Sequence, residues 1–296
     1  MSMIARRALV VFLAVAGASG CKRGAKRQAE AIAGQPVKLQ AVTVSVRTPP
    51  SARVQGINQK TARSRVEKAI GEAPWVSLDS SSKGATLAVE LAAGLRRTRA
   101  EAEEFVAIVT VRAPGVVKGQ ALEASTVAPL REKGKPVPRP SEALRRRHIW
   151  RTLDHALASW LHQAKLVGAD EEALVAALGD HDPDRLLSAI EISALRKSNA
   201  AVPALIGLLS HKERRLADRS IGALVIIGDR RAVKPLTKLA KFEDSGRVAQ
   251  VIDAIGSLGG EEAKAFLEFV ADGHRNPTVR DMARQALARM TRADPT

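Results

Sequence analysis

Three histidines, His148, His155 and His162, recur every seven positions and form the most chemically suggestive pattern in the chain. On a helix they would share one stripe, but seven residues rise about 10.5 Å. Two imidazoles that far apart cannot share a zinc held at about 2.1 Å, which needs an i, i+4 pair. The stripe therefore reads as histidines bordering an apolar helix face. Asp180, His181, Asp182 and Asp184 also gather possible ligands. Asp182 directly precedes Pro183, however, so capping and the helix dipole explain the acidic residues better than a metal does. Ser80 to Lys83 spells SxxK, in which a lysine activates a serine for acyl transfer. That chemistry needs a helix start and partner SxN and KTG motifs, whereas these residues read as a turn between strands. The chain carries no HExxH, no GxSxG and no Walker-type loop. Its single cysteine, Cys21, excludes disulfide frameworks and multi-cysteine metal sites. No enzymatic activity, metal or cofactor is expected.

Cys21 closes a segment of its own kind. Arg6 and Arg7 precede an apolar run from Ala8 to Ala18, and Ser19 and Gly20 follow. Eleven residues span about 16 Å as a helix, short of the roughly 20 residues that cross a bilayer, so this reads as an export signal. Ala18-Ser19-Gly20-Cys21 resembles the lipobox of bacterial lipoproteins. The resemblance implies cleavage before Cys21 and acylation of that residue, with a signal peptide over 1–20. Arg6-Arg7 is only loosely similar to a twin-arginine signal, because Ala8-Leu9-Val10 follows. Each buried methylene adds about 0.8 kcal/mol of membrane affinity, so the acyl chains would anchor the protein durably. Lys22, Arg23, Lys26 and Arg27 lie in the tether, 21–36, where basic residues are drawn to anionic headgroups.

Charge is divided unevenly. The net +16 comprises +2 in residues 1–21, +14 in 22–165 and zero in 166–296. In an exported protein this points to an anionic envelope polymer or lipid surface rather than to nucleic acid. Arg145, Arg146, Arg147 and Arg151 are the expected focus, crowded at the start of one helix where they cannot all face a core.

The elements that would position these residues fall into two series. Val37, Leu39 and Ala41 alternate on one face of an extended segment, and Val42, Val44 and Val46 on the other, which predicts a strand partly covered on both faces. Residues 57–71 have the apolar spacing of an amphipathic helix. Strands are expected at 75–78, 85–91, 105–111 and 121–127, with the second and third of these paired as a hairpin. A long helix starts after the Ser141 cap. Residues 37–165 thus predict an α+β two-layer sandwich with helices against one sheet. The element order resembles the α/β domain of envelope lipoproteins such as penicillin-binding-protein activators and the N-terminal domain of TolB.

Residues 166–296 repeat. Ala201-Val202-Pro203-Ala204-Leu205 returns 31 residues later as Ala232-Val233-Lys234-Pro235-Leu236, and after another 31 as Ala263-Lys264-Ala265-Phe266-Leu267. Equal steps of this length indicate stacked helix pairs, an α-solenoid. The segment from Asp170 to Arg292 resembles the short HEAT repeats, also called PBS-lyase-like repeats. Asp182-Pro183 and Asn276-Pro277 are read as starts of first helices, and Ile227-Gly228-Asp229 and Leu258-Gly259-Gly260 as turns within pairs. Glu171 to Leu178 is read as the second helix of a degenerate cap. Arg196-Lys197-Ser198 departs from the Ile-Gly-Asp pattern, leaving the first turn less secure.

The expectation is an α+β two-layer sandwich domain followed by an all-α HEAT-repeat solenoid. It would be lipid-anchored outside the cytoplasm and would scaffold an envelope protein. The alternatives are a binder of anionic envelope polymer through the basic domain, and a lyase-like enzyme or subunit, since some relatives of these repeats act on bilins. Cys21→Ser should abolish acylation and release the protein from the membrane fraction or leave it as precursor. Processed mutant that still partitions into detergent would contradict this.

Overall fold

The alternating strands and the 31-residue period account for the architecture of the computed structural model, which describes residues 36–81, 83–98, 103–117, 119–240 and 245–293. The signal segment, Cys21, Lys22, Arg23, Lys26 and Arg27 lie outside the described residues.

Strand β1 (Val37–Arg47) leads through a short 3-10 turn to helix α1 (Gln59–Gly71), then β2 (Val76–Leu78), β3 (Ala85–Arg97), β4 (Glu103–Gly115) and β5 (Gly119–Pro129). The strands form a mixed sheet in the order β2-β1-β3-β4-β5. β1 is parallel to β2 and β3, whereas β3, β4 and β5 are successive antiparallel neighbours. A small ribbon, β6 (Arg131–Glu132) with β7 (Lys135–Pro136), follows. Asn58 starts α1 through a capping box, accepting from the Thr61 amide while the Thr61 hydroxyl accepts from the Asn58 amide. Ser141 starts the long helix α2 (Glu142–Val167) by accepting from the Leu144 amide.

One face of the sheet is apolar and covered. Val42, Val44, Leu87, Val89, Leu91, Phe105, Val109, Val111 and Leu122 are buried beneath α1 and α2. The other face carries small and polar residues, among them Thr110 and Ser125, whose hydroxyl oxygens lie 3.1 Å apart, and the exposed Val127. This is the expected two-layer arrangement.

The reading of β1 as covered on both faces is corrected by a bulge. The pairing of β1 with β3 shifts between Leu39 and Ala41, so one extra residue enters the strand and the pleat parity reverses there. Val37 and Leu39 before the shift therefore share a face with Val42 and Val44 after it, and all four are buried. Gly84 makes the shift possible. A Cβ at this position would sit 2.8 Å from the Lys38 carbonyl oxygen and 2.9 Å from the Gln40 nitrogen.

The solenoid comprises α3 (Glu171–Ala177), α4 (Pro183–Arg196), α5 (Val202–Leu208), α6 (Arg214–Ile227), α7 (Val233–Thr237), α8 (Ser245–Leu258), α9 (Glu261–Gly273) and α10 (Pro277–Ala293). The pairs that pack as hairpins are α3 with α4, α5 with α6, α7 with α8, and α9 with α10. Two details of the repeat reading are thereby corrected. Glu171 to Leu178 holds the first helix of the first repeat, and Asp182-Pro183 and Asn276-Pro277 begin second helices. Gly228, Gly259 and Gly260, all with positive φ, sit between successive pairs rather than within one. The second helices start at Pro183, Arg214, Ser245 and Pro277, steps of 31, 31 and 32 residues.

α2 joins the two series. It packs on β4 and β5 and also on α4, so the stack of second helices begins with the helix that covers the sheet. Trp160 is wholly buried, its indole donating to the Leu122 carbonyl at 3.2 Å, and Trp75 donates to the Leu161 carbonyl at 2.9 Å. The described residues form one compact unit.

Gly84→Ala should destabilise the protein by roughly 1–3 kcal/mol, the cost of overpacking where only backbone can move. Urea unfolding followed by circular dichroism would measure it, and an unchanged midpoint would contradict the steric role.

Candidate functional site

The exposed side of α2 carries Ala143, Arg146, Arg147, Trp150, Arg151 and Asp154, spaced by three and four so that they lie on one stripe. The buried stripe, Ile149, Leu153, Leu157 and Trp160, faces inward. α1 supplies Arg65 as the opposite wall of an open groove of about 390 Å3. Arg65 donates two hydrogen bonds to Asp154, at 2.6 and 2.7 Å, and its guanidinium lies 5.2 Å from the Trp150 ring centroid. Donation to Asp154 raises the already high pKa of Arg65. Asp154 is thus committed to one arginine, and Arg146, Arg147 and Arg151 have no ion-pair partner among the described residues.

Of the four arginines expected to act together, Arg146, Arg147 and Arg151 line this one groove. Arg145 turns away, donating to the Ser51 carbonyl at 3.2 Å and lying 6.0 Å from the Phe105 ring centroid, which assigns it to the seam between α2 and the sheet. Arg65, Trp150 and Asp154 are additions that sequence reasoning missed. The i, i+4 pairs Arg147 with Arg151 and Arg146 with Trp150 were visible signals, but the crossing of α1 over α2 was not.

The histidine stripe does not come together. The His148 ring nitrogen is 2.9 Å from the Ala128 carbonyl oxygen on β5, and His155 Nε2 is 3.4 Å from Asp184 on α4. The Nε2 atom of His162 is buried with no hydrogen-bond partner among the described residues. Burial holds the His162 pKa below the ordinary value, with Arg185 and Lys165 acting in the same direction and Asp180 and Asp182 opposing. No group of side chains among the described residues is arranged to hold a metal ion. Asp182 accepts from the Asp184 and Arg185 amides as a cap, and Asp180 accepts from the Asp182 amide. Ser81 donates to Asp79 within the turn that holds Ser80, so Ser80 of the SxxK segment lies in a turn and not at a helix start.

Two carboxylates away from these clusters are also accounted for. Glu104 is fully buried, accepting from Arg131 at 2.5 Å and Arg96 at 2.8 Å, and these bonds hold its pKa below the usual carboxylate range. Glu191 lies in the crease between α2 and α4, accepting from Gln163 at 3.3 Å; burial raises its pKa against the pull of Arg219 and Arg215.

The second helices of the solenoid offer a different surface. Acidic residues of one helix meet basic residues of the next: Asp184 with Arg215, Asp218 with Arg247, and Asp253 with Arg289. These pairs bridge successive second helices. The solenoid's first turn is built differently. Lys197 adopts a left-handed conformation, φ 54°, where Gly228 stands in the next repeat. Arg196 is buried, donating to the Leu166 and Ala169 carbonyls at the end of α2 and to Glu171, which also accepts from Ser198. The departure at Arg196-Lys197-Ser198 is therefore the fastening of the first repeat to α2.

The HEAT repeats family matches residues 171–251 and 217–288, within the helical region described above. No curated protein matches the chain. HEAT repeats point to a protein-interaction or scaffold role. No helix among the described residues is long and apolar enough to cross a membrane.

His162 gives a signed pH dependence. Its folded pKa is depressed, so the unfolded chain takes up the proton more readily; the stabilisation is full above the ordinary histidine value of about 6.5 and is lost as pH falls below it. Thermal midpoints measured from pH 7.5 to pH 5 should fall, and His162→Gln should flatten part of that slope. An identical slope in the mutant would contradict the assignment.

Proposed function

We propose that this protein is a membrane-anchored extracytoplasmic scaffold that presents its HEAT repeats to a partner protein of the cell envelope. The observation that carries the reading is the continuous stack from α2 through α4, α6, α8 and α10, which offers an extended surface laced by ion pairs. The lipobox-like run ending at Cys21 supports the anchor and the compartment, since the acyl chains it implies would hold the solenoid at a membrane surface. The buried clamp of Arg196 and Glu171 and the burial of Trp160 support a solenoid held rigidly to the sheet domain. A partner engaged by the second helices would therefore be presented at a set position relative to the anchored domain. Among the described residues no group of side chains is arranged to support a lyase-like role.

Photocrosslinking residues placed at the exposed positions Arg219, Asp253 and Gln285 should give discrete protein adducts in intact cells, while the same residue at Lys60 on α1 should not. Adducts at Lys60 alone would move the interaction to the sheet domain, and adducts at none of the four would sink the reading.

A further inference from the structure

The arginine groove between α1 and α2 is unexplained by the solenoid, and it is costly to the fold. Arg147 and Arg151 are a like-charge i, i+4 pair, which weakens a helix, and Arg146 adds a third cation beside them. On the solenoid Arg215, Arg247 and Arg289 each meet a carboxylate on the preceding second helix. Here the one nearby carboxylate, Asp154, is held by Arg65 through both of its oxygens. The groove therefore retains about three uncompensated positive charges on one open wall, with the Trp150 ring and Ala143 as its apolar parts. A local conflict that no internal contact resolves is expected where a ligand resolves it.

We propose that this groove is a binding site for a phosphate monoester. A monoester carries a charge near −1.5 to −2 at neutral pH, with three strong acceptor oxygens. The planar forks of Arg146, Arg147 and Arg151 can each present paired N–H donors to such oxygens, whereas one carboxylate would leave most of the charge unmatched. The indole of Trp150, fixed beneath Arg65, supplies an apolar wall for the organic part of the ligand. A volume of about 390 Å3 accommodates a phosphate with a small organic group, and the open mouth admits a group still attached to a lipid. The phosphate is the recognised chemistry, whether it is borne by a soluble metabolite or by the headgroup of a phosphatidic-acid-type lipid. The inference rests on the groove alone, so loss of phosphate binding would leave the scaffold reading intact, and loss of solenoid crosslinks would leave this site intact.

The test uses the full chain purified in non-ionic detergent and titrated with inorganic phosphate, glycerol 3-phosphate and monomeric dihexanoyl phosphatidic acid. Sodium chloride at matched ionic strength is the control. Calorimetry gives affinity and thermal unfolding gives the ligand-induced rise in Tm. Glycerol 3-phosphate or the short-chain lipid should bind and raise Tm beyond the salt control. R147Q/R151Q should weaken that binding by about tenfold or more, because each arginine removes a charge-assisted contact. Without ligand the same variant should unfold no earlier than the wild type, since a repulsive pair has gone. K212Q/K264Q, which removes the same charge from the solenoid, should bind as the wild type does. Binding of all three probes assigns the phosphate group itself as the determinant, and binding of the lipid alone assigns a headgroup at a membrane. The proposal is overturned if no probe exceeds the salt control, if R147Q/R151Q binds normally, or if K212Q/K264Q loses as much.

Discussion

The burial of α2 on two sides is the constraint on which the remaining structure depends. One stripe of the helix, centred on Trp160, closes the apolar face of the sheet, while its flank meets α4 and starts the stack of second helices. A fully buried tryptophan contributes several kcal/mol, about 3–5 by truncation, and here its indole also satisfies a carbonyl of the terminal strand β5. His148 reaches a second β5 carbonyl, at Ala128. The same helix thus holds the sheet edge and caps the solenoid, whose first repeat would otherwise expose an apolar side to water.

The fastening at the C-terminal end of α2 follows from this. A helix leaves its last carbonyls without internal partners, and burying that end requires donors. Arg196 supplies them to Leu166 and Ala169, and Glu171 balances the buried guanidinium. The turn departs from the Gly-containing sequence of the later repeats, and Lys197 takes the left-handed position. Later repeats have only one another to contact and follow the common pattern, with Gly228 and Gly259 at positive φ.

Charge is organised on the same division. In the solenoid, acid and base from neighbouring second helices pair, and residues 166–296 carry no net charge. On the α1–α2 side the arginines stand in excess, held apart from the sheet seam where Arg145 alone contributes to packing. The basic groove belongs to the N-terminal half of the chain. An anionic ligand there and a protein partner on the solenoid would therefore occupy separate surfaces.

The 31-residue period, the helix starts at Ser141, Pro183 and Pro277, and the strand positions were legible because they are local. Cap chemistry, proline position and side-chain period act within a few residues. The charge division between the halves is likewise a property of the chain alone. Which helices pair was not legible: a glycine turn ends a helix equally well within a pair or between pairs, and only packing distinguishes the two. The bulge in β1 escaped because alternation on either side of Gln40 is regular, and the reversal of parity is set by the partner strand and by the close approach of Gly84. The groove was half visible. Arg146, Arg147 and Arg151 could be chosen from their spacing, but the meeting of Arg65 with Asp154 across 89 residues is a product of how α1 and α2 lie on the sheet. Periodicity specifies which face of an element is buried; only the tertiary fold decides what stands opposite the face that is not.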